Sequence, residues 1–332
     1  MALPSNPAWK ALFEYVANTP DAFSNHENVQ LDPERKKWLE AAINGSVIDE
    51  NKHVQNLLDA ITRPDLDEET TLQYLDALLT SIERLDIANN LHKYDPDGWL
   101  PLLHVMRSHD STPATRAAAA QVISAAVQNN PVAQAEAMKR DVLAAAAECV
   151  TNKDPGVCSA GISVLSTMTR ANPGILAQTI ESEVLQNCLS VAMNTVINEP
   201  LDSNQHFRLA LRVVFYLSVT LSQLKDDLRA KMISSNQPMR EMICRLSNKI
   251  IDHARSKLED FDGRVMDLAE KTLTMLQQLP RQDLDLCGTT ACLSRLDGAL
   301  QEVSEDAGLM ADENDAASVN EMMTLVKGLM RS

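Results

Sequence analysis

Leu85 to Pro131 reads LDIANNLHKYDPDGWLPLLHVMRSHDSTPATRAAAAQVISAAVQNNP. It holds a short polar turn, a helix through Trp99-Leu100-Pro101-Leu102-Leu103, a second turn with Pro113, and a small-residue helix. That last helix carries Arg116, Ala118, Ala119, Val122, Ile123 and Ala126 and stops at Gln128-Asn129-Asn130-Pro131. Pro at a helix start and Asn or Pro at its end are the ordinary punctuation of such pieces.

The pattern recurs. Cys158, Ala160, Gly161, Val164, Leu165 and Met168 precede Asn172-Pro173, a shift of 42 residues. A third copy fits Arg208, Ala210, Leu211, Val214, Phe215 and Ser218, displaced by 50 residues from the second. The extra residues are expected in the polar loop Asn198–Gln205. A fourth, degenerate copy runs from Asp262 to Leu279 through Val265, Leu268, Ala269, Leu273 and Leu276. A period of about 40–47 residues with two or three helices per unit is the armadillo/HEAT signature. The fold expected is therefore all-α: an armadillo/HEAT-like right-handed helical solenoid of about four repeats over 86–285, with N-terminal capping helices over 31–85.

The flanks divide further. Residues 1–30 are expected to be a flexible segment with one amphipathic turn, Trp9, Leu12, Phe13 and Val16 sharing a face. That turn either docks on the next helix or offers its aromatics to a partner. Asp32-Pro33-Glu34-Arg35 reads as a helix start, Val47–Ile61 as a second helix, and Asp67 to Leu85 as a third. Residues 286–318 are acidic and are expected to form a linker. Val319–Met330 is expected to form a last amphipathic helix within 319–332.

Bulk composition narrows the function. The chain has 332 residues, a net charge of −16, ten glycines and 4% aromatics. With no basic stripe to release phosphate counterions, nucleic acid is not an expected partner. No run approaches the ~18 apolar residues of a membrane span, and the N-terminus has no secretory signal pattern. The six cysteines form no C-x-x-C pair and read as reduced core thiols. The expected compartment is the cytoplasm, and the expected state a monomer.

No catalytic or cofactor motif is found. There is no phosphate-binding glycine loop, no nucleophile elbow and no paired zinc histidines. Asp95-Pro96-Asp97-Gly98 imitates a calcium loop, but Met106 stands where the bidentate Glu is needed. Neither metal nor cofactor is expected, nor enzyme activity. A solenoid without chemistry is a binding scaffold. Arg116, Arg170, Arg208 and Arg212 mark three repeat helices. They form either a cationic strip for a carboxylate-bearing partner or ordinary rim ion pairs.

The wording itself carries a resemblance. Leu85-Asp86-Ile87-Ala88-Asn89-Asn90-Leu91, Trp99–Leu103, Arg116–Ala119 and Gln128–Pro131 resemble the cytosolic armadillo-type nucleotide exchange factors of heat-shock protein 70. Asn6–Phe13 and Arg35–Ala41 are similar to the fungal and plant openings of that family. Asp97-Gly98 departs from the family's Gly-Gly, and the second copy has Cys158 where the first has Arg116. The resemblance implies a co-chaperone that grips lobe II of the chaperone's nucleotide-binding domain, opens its cleft and promotes ADP release. It places Ala88 and Arg208 at the interface, with Asn89, Arg116, Gln128, Asn129 and Arg170 at further partner-facing positions. It also implies that Trp9 and Phe13 help release substrate from the peptide-binding domain. The alternative is an armadillo adaptor that binds another protein ligand on its concave face.

Overall fold

The structure, a computed structural model, describes residues 50–258, 262–280, 284–285, 288–305 and 313–331. The chain divides into two units, 1–54 and 55–332. The expected helix start at Asp32 and the amphipathic turn of Trp9 and Phe13 lie outside the described residues. Among the described residues there is helix but no strand.

Two helices open the described chain, α1 (Glu50–Ala60) and α2 (Glu68–Ile82). Asp67 caps α2 by accepting the Thr70 amide at 2.8 Å. Four three-helix repeats follow. The first holds α3 (Leu85–Asn90), α4 (Trp99–Arg107) and α5 (Pro113–Val127). The second holds α6 (Pro131–Met138), α7 (Val142–Val150) and α8 (Pro155–Thr169). The third holds α9 (Pro173–Glu181), α10 (Val184–Asn198) and α11 (Asn204–Gln223). The fourth holds α12 (Asp226–Arg229), which runs on as a π turn, then α13 (Gln237–Ser256) and α14 (Gly263–Leu276). A last pair, α15 (Thr289–Glu305) and α16 (Glu313–Arg331), ends the array.

Equivalent helices pack side by side. The third helices form one row, α2–α5–α8–α11–α14–α16, and the second helices another, α4–α7–α10–α13–α15. The core lies between the rows, and Trp99, Ile123, Leu165 and Tyr216 are fully buried in it.

The turn between repeats is made the same way twice. Asn129 and Ala171 take left-handed backbone, φ 52° and 56°. The next residues, Asn130 and Asn172, cap α6 and α9 by accepting the Ala133 and Ile175 amides at 3.2 Å. Pro131 and Pro173 then occupy the first helical turn, where a missing amide hydrogen costs nothing. Buried Gln134 locks the step. Its Nε2 donates to the carbonyls of Val127 (3.2 Å) and Thr167 (3.0 Å), and its Oε1 accepts from Asn172 (2.9 Å).

Two expectations need correction. The third repeat's extra residues are mostly helix: α10 has 15 residues where α7 has 9. Leu185, Leu189, Met193 and Val196 keep a buried stripe along its whole length, so the insertion is absorbed by burial. The described residues of the linker expected over 286–318 are mostly helix. Thr289–Glu305 is helix because Cys292, Leu293, Leu296, Leu300 and Val303 recur at helical spacing and are buried, and the last helix begins at Glu313. Acidic side chains occupy the exposed face of α15 without preventing that burial.

Gly161 shows how tight the second repeat is. A Cβ there would lie 2.8 Å from the Ala146 carbonyl oxygen and 2.9 Å from the Cys149 Cβ. Gly161→Val is expected to cost about 2–4 kcal/mol by overpacking and backbone displacement, read as a lowered urea midpoint.

A charged network ties the second repeat to the first. Arg140 bonds Asp97 at 2.5 Å and Glu136 at 2.8 Å, and Lys139 adds a 2.7 Å bond to Glu136. Lys139 and then Arg140 hold the Glu136 carboxyl down at about 2. A depressed folded-state pKa stabilises above the unfolded value and is lost as pH falls through the folded one. Glu136→Gln is therefore expected to lower stability at neutral pH. The gap to the parent should close between about pH 4.5 and pH 2 in urea titrations.

Candidate partner-binding groove

Each third helix buries one stripe and leaves the other open. On α5 the buried stripe is Ala119, Val122, Ile123 and Ala126, while Ala117, Gln121 and Ser124 face outward. On α8 the outward positions are Ser159 and Ser163, 42 residues after Ala117 and Gln121. Arg208, Leu211, Arg212 and Phe215 on α11, and Asp267 and Lys271 on α14, complete a groove of about 950 Å³. Its floor is made of small side chains from α5 and α8, and its wall of long ones from α11 and α14.

The wall's charges are unequal in freedom. Lys271 pairs with Asp267 one turn away. Arg208 and Arg212 are exposed, and neither makes an ion pair among the described residues. Arg170, at the C-terminal end of α8, donates to the Ser166 hydroxyl at 3.2 Å and lies over the Phe215 ring, 5.1 Å from its centre. Desolvation by the surrounding protein, together with the Arg170 charge, lowers the pKa of Arg212.

The residues singled out from the sequence therefore separate. Gln128, Arg208 and Arg212 line the groove, and Arg170 stands beside its Phe215. Asn129 is exposed in the left-handed turn between α5 and α6. Ala88 is buried in α3, and Asn89 keeps a buried Oδ1 without a hydrogen-bond partner. A charge introduced at Ala88 would therefore test packing before contact.

Arg116 is a correction. It is 7% exposed, and its Nε donates to the Met106 carbonyl at 3.0 Å. Met106 lies in the last turn of α4, where carbonyls lack intrahelical partners. The guanidinium satisfies that carbonyl instead of facing a ligand.

Sequence reasoning missed Gln121, Ser159, Ser163, Phe215 and Lys271. The repeat period carried the signal: shifting α5 by 42 residues superposes outward positions as well as core ones.

Comparison with known proteins bears on the family and the fold. Residues 14–91 match the family model described as "Nucleotide exchange factor Fes1". The Hsp70 nucleotide exchange factor FES1 of Saccharomyces cerevisiae is 29% identical over 202 residues, which span 60% of this chain and 64% of the yeast protein. The chain resembles the armadillo-type Hsp70 exchange factors. The matched descriptions name an exchange factor rather than an enzyme. Solved structures support the fold alone. An engineered protein aligns with TM-score 0.56 at 14% identity, covering 83% of this chain and 98% of that one. A designed armadillo repeat protein aligns with TM-score 0.51 at 9% identity, covering 82% and 99%. The solenoid is thus of the armadillo type. No helix among the described residues is long and apolar enough to cross a membrane.

The buried and exposed arginines should behave oppositely. Arg116→Met is expected to cost about 1–3 kcal/mol by leaving the Met106 carbonyl only the weak thiol donor of Cys149 at 3.7 Å. Arg208→Ala should stay within about 0.5 kcal/mol of the parent. Paired denaturant curves check both.

Proposed function

We propose that the chain is a nucleotide exchange factor for a cytosolic heat-shock protein 70, acting as a cytoplasmic co-chaperone without catalysis of its own. The observation that carries this reading is the 202-residue similarity to the yeast exchange factor. That stretch is long enough to span several repeats, and the repeats of this chain build a groove whose Arg208 and Arg212 make no ion pair among the described residues.

In this reading the third-helix row holds lobe II of the chaperone's nucleotide-binding domain, with Arg208, Arg212 and Gln128 in contact. Ala88, Asn89, Asn129 and Arg170 flank that contact. The array binds the open, nucleotide-free domain more tightly than the ADP form, and that difference in affinity shifts the population toward release. By reciprocity, ATP binding to the chaperone weakens the complex. A stack of packed helices suits the task, because displacing a lobe requires a body that does not deform with it. Trp9 and Phe13 act on the peptide-binding domain to release substrate.

Stopped-flow release of a fluorescent ADP analogue from a cytosolic heat-shock protein 70 tests the proposal. A saturable acceleration is expected, and Arg208→Ala should raise the concentration for half-maximal effect about tenfold, equivalent to about 1.4 kcal/mol. No acceleration by a folded, helical protein would overturn it. An adaptor binding another protein ligand would then be the standing interpretation.

A further inference from the structure

The arginines of the groove pose an electrostatic problem. Arg170 and Arg212 are close enough for one charge to depress the pKa of the other, and Arg208 lies one turn from Arg212 on α11. Among the described residues none of the three has an acidic partner, although the chain carries 46 acidic residues against 30 basic ones. The nearby acid on α14, Asp267, is taken up by Lys271. Arg170 also keeps a buried Nε without a hydrogen-bond partner, while its outer nitrogen is oriented by Ser166 and its plane lies over Phe215. A guanidinium stacked on a ring and tethered at one nitrogen has lost much of its rotamer freedom before any ligand arrives.

We propose that Arg170, held over Phe215, and Arg212, which lines the same groove as Phe215, form a carboxylate clamp that takes Asp or Glu side chains of an acidic protein segment lying along the third-helix row. The fork of a guanidinium matches a carboxylate bidentately, and two forks without internal acids gain most from a paired or repeated acid. Charge elsewhere fixes the direction. Toward the start of the row, α2 exposes Glu68, Glu69 and Asp76, which repel an acidic segment and favour a seat at α11. The small residues of α5 and α8 between the two ends leave room for a main chain. The inference deepens the exchange-factor reading by naming the chemistry of the partner's contact surface, and it rests on that reading only for the partner's identity.

Fluorescence anisotropy with labelled octaglutamate, and octaglutamine as the neutral control, tests the clamp on the full chain. The parent is expected to bind octaglutamate in preference to octaglutamine, with affinity falling as salt rises. Arg212→Gln, at an exposed position that makes no ion pair among the described residues, should weaken it about tenfold; Arg212→Lys keeps the charge but not the fork and should recover only part of the loss. Arg212→Glu should abolish it. Equal binding of the two peptides, or octaglutamate binding that ignores Arg212, overturns the clamp. Nucleotide release assays run in parallel keep the two proposals apart. Octaglutamate binding through Arg212 without exchange activity removes the chaperone and leaves the clamp. Exchange activity together with octaglutamate binding that ignores Arg212→Gln leaves the exchange factor and removes the clamp.

Discussion

The step from one repeat to the next depends on a short turn: a left-handed residue, an asparagine cap and a proline. Asn129 or Ala171 reverses the chain after the third helix, Asn130 or Asn172 supplies the acceptor for the new helix, and Pro131 or Pro173 sets its first φ. Left-handed backbone costs about 1–2 kcal/mol for a residue with a Cβ, so a chain that keeps it at the same turn in two successive repeats has a packing reason. The reason is visible in Gln134, which bonds the carbonyl ends of α5 and α8 and the asparagine of the next turn. Were the turn to open, that buried amide would be left with unsatisfied groups. The angle between successive repeats, and with it the line of outward side chains along the third-helix row, follows from this junction.

Given that line, the distribution of charge becomes meaningful. A net charge of −16 is spread over a surface that mostly solvates it. The exception is local: α11 presents arginines without acids, and the α2 end of the same row presents acids. Such a gradient affects a partner more through orientation and approach than through bulk affinity. It also gives an acidic protein a local seat for carboxylates. What matters is the field within a few ångströms of the groove, since beyond about 8–10 Å salt screens the rest.

Buried polar side chains play a second, structural part. Arg116 satisfies the end of α4, Gln134 joins two repeats, and the Thr169 hydroxyl meets the Tyr216 hydroxyl at 2.9 Å across α8 and α11. Each answers a main-chain or hydroxyl group that the apolar core cannot. In a linear sequence these residues look no different from ligand-facing ones. Arg116 and Arg208 occupy comparable places near the starts of their helices, yet one is sealed under α4 and the other stands in the groove.

Periodicity and capping chemistry determined the all-α class, the 42-residue repeat, the helix starts at Asp67 and Asp262, the helix stops at Asn130-Pro131 and Asn172-Pro173, and the small positions around Gly161. These are local properties, written in spacing and capping chemistry, and they need no knowledge of distant residues. The roles of Arg116 and Ala88, the helical nature of Thr289–Glu305 and the absorption of the third repeat's insertion by α10 were decided only in three dimensions. Burial is a property of what packs on a residue, and an acidic stretch remains helical when its apolar stripe finds a neighbour, as α15 does on α13. The same holds for the pairing of Arg170 with Arg212. They are far apart in the sequence, and only the packing of α8 on α11 brings Arg170 over Phe215 and its charge within reach of Arg212.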